Sequence, residues 1–228
     1  LNGPYQSTDE QGSVLLQGQY NSNGQQDGLW TQFFAADRPA ANTHYLNGQR
    51  HGVAEQFNTD GSLISRCSFQ HGAEHGECRE FHVNGQLARV SAYQQGKLHG
   101  EHLRYSSDGV LLEKFNFIDG MQAGEQLTYH SNGKLDHRIQ YHTTERNANG
   151  QFPQHGVQER YSVDGLPIVT ANFAMGLRDG VFKRFQGEKL VEETQYKAGK
   201  RHGVSKTFYS SGEPREQNTY VEERQTGP

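Results

Sequence analysis

Aromatic and leucine positions return along this chain at a fixed step, set among polar residues and punctuated by glycine. The frame is a Gly-x-x-x-Gly spacing, seen at Gly24/Gly28, Gly48/Gly52, Gly72/Gly76, Gly96/Gly100, Gly120/Gly124, Gly176/Gly180 and Gly199/Gly203. With the second glycine as position zero, zeros fall at residues 28, 52, 76, 100, 124, 156, 180 and 203. The step is 24 residues, broken once by 32 and once by 23. Gly3 and Gly227 extend the series at its two ends. Five residues after each zero stands an aromatic, from Phe33, Phe57 and Phe81 to Phe185 and Phe208. A second aromatic stands at position seventeen, as in Tyr45, Phe69, Tyr93, Phe117 and Tyr141, and Leu63, Leu87, Leu111 and Leu135 hold position eleven. Positions eleven to seventeen alternate, so that Leu87, Arg89, Ser91 and Tyr93 share one face of a strand.

At position nine a glycine follows Asp, Asn or Ser, as in Asp60-Gly61, Asn84-Gly85 and Ser211-Gly212. Such pairs favour a two-residue type I′ turn, which needs positive φ at both central residues. Each unit therefore reads as strand, tight turn, strand, with Gly-x-x-x-Gly as a looser return to the next hairpin. A lone hairpin is marginal in water, and stacked copies cover one another's aromatic rows. The predicted fold is all-β: an elongated, single twisted antiparallel sheet of tandem hairpins, one array over residues 1–228 of about nine units, with helix nearly absent.

Composition supports a thin repetitive sheet. Hydrophobic residues make up 32%, below what an average globular core uses, yet 12 Phe, 11 Tyr and a Trp are too many aromatics for a solvated chain. A net charge of −4 with scattered lysines and arginines gives no basic footprint for nucleic acid or anionic lipid. No run approaches the ~18 apolar residues of a membrane span. The chain begins at Leu1 without Met, as a protein cut after a signal peptide or lipid-anchor cysteine would, which favours the bacterial periplasm or envelope over the cytoplasm.

Segments such as Tyr93-Gln-Gln-Gly-Lys-Leu-His-Gly-Glu-His-Leu-Arg-Tyr105 and Gly199-Lys-Arg-His-Gly-Val-Ser-Lys-Thr-Phe-Tyr-Ser-Ser-Gly212 resemble MORN repeats, in the bacterial variant form with Asn-Gly hairpins. The resemblance spans Gly3 to Gly227. It implies a binding surface: bacterial members include antitoxin and immunity components that accompany secreted toxins, and other MORN proteins are scaffolds or have been linked to membranes.

The regular pattern breaks at the 32-residue step, where the excess lies in His142 to Gln154 and carries its own Asn149-Gly150 turn. Insertions in repeat arrays map to loops on one face, often the binding face, although a tolerant turn also drifts. This segment reads as a polar protruding loop, and Thr144, Glu145, Arg146, Asn147, Asn149, Gln151 and Phe152 are its candidate partner contacts. Trp30 and Phe34, large apolar residues of an early repeat, join them, with core packing as the default role of Trp30. The seventh hairpin is one residue short around Phe185-Gln-Gly187, and Asp37-Arg38-Pro39 replaces a turn glycine.

Candidate chemistry is sparse. His51, His75, His99, His155 and His202 precede zero glycines, but equivalent positions on alternate strands lie ~9–10 Å apart, too far to share a metal ion. Glu77, Glu80 and Glu101 fit a solvated strand face, and no nucleophile elbow, P-loop, HExxH or CxxC occurs. With Gly72 facing Gly76, Cys67 and Cys78 fall about three residues out of register, which predicts two free, partly buried thiols, a disulfide being the exception. The expectation is a protein-binding module without enzyme activity, cofactor or metal. Its expected partner is a toxin or effector blocked by direct occlusion. The alternatives are an envelope scaffold that self-associates through end strands and, more weakly, membrane-lipid binding.

Overall fold

The computed structural model describes residues 2–34 and 38–227. Asp37, noted above as replacing a turn glycine, lies outside the described residues. The fold is all-β, with 21 strands, consecutive antiparallel hairpins and no helix among the described residues. Two compact units divide it, residues 1–109 and 110–228.

The first unit holds β1 (Gly3–Thr8), β2 (Val14–Tyr20), β3 (Gln26–Phe33), β4 (Pro39–Leu46), β5 (Gln49–Phe57), β6 (Leu63–Gln70), β7 (Ala73–Phe81), β8 (Leu87–Gln94) and β9 (Lys97–Tyr105), each paired with the next. The second holds β10 (Leu111–Ile118), β11 (Met121–Gln122), β12 (Gly124–Tyr129), β13 (Leu135–Tyr141), β14 (Gln154–Tyr161), β15 (Pro167–Ala174), β16 (Leu177–Arg178), β17 (Gly180–Gln186), β18 (Lys189–Lys197), β19 (Lys200–Phe208), β20 (Pro214–Val221) and β21 (Arg224–Gly227).

The two kinds of turn are exchanged relative to the sequence reading. The tight ones sit at the first glycine of Gly-x-x-x-Gly. Gln70 pairs with Ala73 and Gln94 with Lys97, leaving His71-Gly72 and Gln95-Gly96 as two-residue loops. Both residues have positive φ, 51° and 84° at His71-Gly72 and 51° and 77° at Gln95-Gly96, as a type I′ turn requires. The Asn-Gly and Asp-Gly pairs at position nine instead lie within five-residue loops, such as the one closed by Asn58 N–H to Ser62 O at 2.8 Å and Gly61 N–H to Asn58 O at 2.9 Å, whereas Asn47-Gly48 and Asp119-Gly120 are tight turns. In the five-residue loops only the glycine has positive φ. The shortened seventh hairpin also closes as a two-residue loop, with Gln186 paired to Lys189.

A residue such as Gln95 carries a left-handed backbone that asparagine adopts more readily. Gln95→Asn is therefore expected to stabilise the first unit by about 0.5–1 kcal/mol, read as a rise in denaturation midpoint at unchanged slope.

The exchange also corrects the cysteines, which are joined as a disulfide rather than free. The tight His71-Gly72 turn starts the register at Gln70–Ala73. A bulge around Gly76 (φ 90°) then shifts it, so that Cys67 lies directly opposite Cys78 with Cα atoms 3.9 Å apart.

The cysteines occupy a recurring slot, position fifteen of one repeat against position two of the next, and each slot is closed differently. In the first, Gly18 lies against Trp30; a Cβ on Gly18 would stand 2.7 Å from Cγ of Trp30 and closer still to Cδ2 and Cε2. Thr43 pairs with Ala54, and Cys67 with Cys78. Ser91 pairs with His102, Oγ and Nδ1 2.9 Å apart, and Thr194 with Ser205, their hydroxyls 2.8 Å apart. Ser91 and Thr194 are each 2% exposed, yet both are hydrogen-bonded. This row forms the core of each unit, which suits a chain with so little apolar material.

The aromatic ladder is interleaved with arginine. Arg50 stands over the Phe69 ring at 4.2 Å, Arg178 over Phe182 at 4.8 Å and Arg201 over Tyr220 at 4.2 Å. These guanidinium stacks place a water-tolerant group between rings that the thin sheet leaves half exposed. At the last tight turn Glu222-Glu223 stands where other repeats have Xaa-Gly, with φ 50° and 70°. Glu223 accepts hydrogen bonds from the Arg201 backbone N–H and its guanidinium, which hold its carboxyl below the ordinary value.

Candidate functional site

The insertion is an ordered loop rather than a free protrusion. It leaves β13 at His142, whose N–H donates to Pro153 O at 2.8 Å and closes the loop at its neck. The Nδ1 atom of His142 accepts backbone N–H groups from Glu145 at 2.9 Å and Thr144 at 3.3 Å, capping the first bend. The crest repeats the five-residue turn of the hairpins: Asn147 N–H donates to Gln151 O at 2.8 Å and Gly150 N–H to Asn147 O at 2.9 Å. The Asn147 side chain supports the crest by accepting from the N–H groups of Asn149 and Gln151.

Apolar packing holds the loop down. Phe152 is 5% exposed and Pro153 is buried beside it. The Arg146 guanidinium stacks 4.5 Å from the centre of the Phe152 ring, donates to Gly150 O at 3.0 Å and faces the Asp119 carboxylate at 3.5 Å. Thr144, Glu145, Asn149 and Gln151 are left exposed on this frame. The seven loop residues singled out from sequence thus lie together, in two classes: Phe152, Arg146 and Asn147 hold the loop, and the others present polar groups to solvent.

Sequence reasoning missed the ground under the loop. A cleft of about 420 Å³ opens between the insertion and the β10–β11 turn, lined by Phe117, Met121, Gln122, Tyr141, Gln151 and Phe152. The sequence pattern marks Phe117 and Tyr141 only as position-seventeen aromatics. The signal available was that the insertion follows Tyr141 directly, so a lengthened return has to settle against that hairpin.

Trp30 and Phe34 belong to the first unit. Trp30 is 3% exposed, its Nε1–H donates to Gln19 O at 3.1 Å, and its indole meets the rings of Tyr20, Tyr5 and Tyr45 at 4.9, 5.6 and 6.5 Å. It is the centre of an aromatic cluster. Phe34 is half-buried just beyond β3. The same unit carries an open cleft of about 530 Å³ floored by Ala54, Cys67 and Cys78 and flanked by Phe69, Glu80 and Tyr93. Burial, and next the Glu74 carboxylate, push the Tyr93 hydroxyl above its ordinary pKa.

Charges on the strands pair across the sheet. Arg138 bridges Glu125 at 3.1 Å and Glu159 at 2.9 Å, Arg89 meets Glu80 at 3.3 Å, and Lys183 meets Glu193 at 3.4 Å. Such half-exposed pairs contribute little stability and set a mixed polar surface. Among the described residues no group of three or more His, Cys, Asp or Glu is placed to hold a metal ion.

The MORN repeat variant family matches residues 50–71, 98–119, 122–142 and 201–222. Every match begins two residues before a zero glycine, in phase with the 24-residue frame, and the third stops where the insertion begins. No curated protein matches this chain. Among solved structures, the crystal structure of TcdB2-TccC3-Cdc42 is similar over 96% of this chain and 15% of that chain, at 11% identity and a TM-score of 0.17. A Photorhabdus luminescens Tc holotoxin pore carrying a mutated TccC3 is similar over 92% of this chain and 16% of that one, at 14% identity and a TM-score of 0.18. This chain spans only about a sixth of their length, and the likeness is too slight to bear on function.

Proposed function

We propose that this chain, a MORN-repeat protein, binds a protein partner through the 142–154 loop, and that the partner is a toxin or effector which it neutralises by occlusion. The observation that carries this reading is the construction of the loop. Its crest is hydrogen-bonded and its base is packed on Phe152, so the backbone that carries its exposed groups is ordered without a partner. Preorganisation of this kind lowers the entropy lost on binding. The net charge of −4 favours a partner with a basic face. The Cys67–Cys78 disulfide supports an oxidising compartment such as the bacterial envelope.

The test is affinity capture by the intact chain and by a variant whose loop is shortened by eight residues, bringing the 32-residue step to 24. One protein recovered by the intact chain, lost on shortening and inhibited by the intact chain in its own activity is the expected result. Recovery of the chain itself or of envelope material alone would replace this reading with a scaffold. Capture unaffected by shortening would move the site elsewhere.

A further inference from the structure

Six Asn-Gly pairs occur in the chain, and five of them stand at turns. We infer that two of these are sites of self-modification in the folded protein: Asn149-Gly150 at the crest of the insertion, and Asn23-Gly24 between β2 and β3. Their asparagines deamidate through a cyclic imide to aspartate and isoaspartate. Asn84-Gly85 and Asn132-Gly133 carry the same residues in the same kind of turn and are protected by the fold.

The reaction needs only water. The backbone nitrogen of Gly150 gives up its proton and bonds to Cγ of Asn149, closing a five-membered succinimide, and the Nδ2 group leaves as ammonia. Water then opens the ring at either carbonyl. One opening gives aspartate; the other gives isoaspartate, in which the main chain runs through the former side-chain carbon. Glycine, without a Cβ, leaves the attacking nitrogen unshielded. The carboxamide has to turn toward that nitrogen, so whatever holds it elsewhere slows the step.

Backbone geometry does not separate the four pairs. The glycines have φ of 73°, 80°, 81° and 77° at Gly24, Gly85, Gly133 and Gly150. Each glycine N–H donates to the carbonyl three residues back, at 3.0, 2.8, 2.9 and 2.9 Å in the same order. All four asparagines are exposed. The carboxamides are what differ. Asn84 Nδ2 donates to Ser107 O beyond β9 and Asn132 Nδ2 to Val163 O beyond β14, each at 2.7 Å. Their Oδ1 atoms accept from the N–H groups of Gln86 at 3.1 Å and Lys134 at 3.0 Å. Both ends of these carboxamides are therefore tied. The fifth pair, Asn47-Gly48, is tied through Oδ1, which accepts from Asn21 Nδ2 at 2.9 Å. The Asn23 and Asn149 carboxamides have no hydrogen bond among the described residues, because the turn N–H groups are taken by Asn21 and Asn147 instead.

At Asn149 the product alters the loop. Isoaspartate lengthens the main chain by one carbon inside the turn that the Asn147 N–H to Gln151 O bond closes at 2.8 Å, and it adds a negative charge. Its consequence for a partner, a limit on how long the crest keeps its binding form, rests on the binding reading above. The modification itself does not.

The folded protein is incubated at mildly alkaline pH in ¹⁸O-water, with a parallel sample unfolded in urea. Each Asn-Gly peptide is followed by mass spectrometry, and isoaspartate is marked with an isoaspartyl methyltransferase. Asn23 and Asn149 are expected to convert at least about tenfold faster than Asn84 and Asn132 in the folded protein, since the tied pairs first break two hydrogen bonds. Ser22-Asn23-Gly24 and Ser131-Asn132-Gly133 are identical tripeptides, and urea is expected to bring their rates within about twofold of each other. Equal rates at Asn23 and Asn132 in the folded protein, or Asn84 or Asn132 reacting ahead of Asn149, overturn the inference. So does an Asn149 that stays intact while the urea-unfolded chain is converted. The measurement needs no partner protein, so it succeeds or fails separately from the capture experiment.

Discussion

Trp30→Ala is expected to destabilise the first unit by about 3–5 kcal/mol, the largest effect of any single substitution considered for this chain. In so thin a sheet few side chains are buried, and Trp30 is the largest of them. Its indole touches rings from three strands: Tyr5 on β1, Tyr20 on β2 and Tyr45 on β4. Removing it opens a cavity that no helix among the described residues can shift to close, and it leaves the Gln19 carbonyl without its 3.1 Å donor. The reciprocal change, Gly18→Ala, adds a methyl where the ring already lies and is expected to cost about 1–3 kcal/mol through overpacking. Phe34→Ala is the control, since Phe34 is only half-buried and is expected to lose less than Trp30. Denaturant unfolding followed by the fluorescence of the single Trp serves Gly18→Ala and Phe34→Ala, and circular dichroism serves Trp30→Ala. A loss under about 1 kcal/mol for Trp30→Ala would mean that the hairpins are held by backbone pairing alone, and the cluster would return as a candidate contact surface.

The same slot shows why part of the fold was legible in the sequence and part was not. Period, strand content and the aromatic positions are written in residue identity, since only a fixed step brings Tyr45, Phe69 and Tyr93 to equivalent places. Turn type is less visible. Asp60-Gly61 and Asn84-Gly85 suit a two-residue loop and also suit the end of a five-residue one, because both need glycine with positive φ. What separates them is the φ of the preceding residue; at some true tight turns that residue is Asn47 or Asp119, but at others it is His71, Gln95, Met175 or Ala198, none a marked turn former. Interchanging the turns moved the register by a few residues. In a β pair that decides which side chains meet, so Cys67 and Cys78 were set apart in sequence and face each other in the fold. The insertion was legible as a break in the period. Its burial was not, because Phe152 and Pro153 carry no periodic signal and the ring they settle beside belongs to the preceding hairpin.

Reducing the Cys67–Cys78 disulfide, or replacing both cysteines by alanine, is expected to cost about 3 kcal/mol, the figure for releasing a closed loop of about a dozen residues from the unfolded chain. Cys67 lines an open cleft and is half-buried, so a small thiol reductant reaches the bridge without unfolding the sheet. Three samples separate the contributions: oxidised protein, the same protein under dithiothreitol, and the Cys67→Ala/Cys78→Ala variant. The variant also loses two sulfur atoms from the slot beside Ala54 and Ser91, and is expected to fall below the reduced protein by about 1 kcal/mol or less. If reduction changes stability by less than about 1 kcal/mol, the unfolded chain already holds this hairpin closed at His71-Gly72, and the cross-link has little left to constrain. The full cost would instead mean that the first unit is markedly weaker in a reducing compartment. That outcome ties its stability to an oxidising one through two residues and the register that lets them meet.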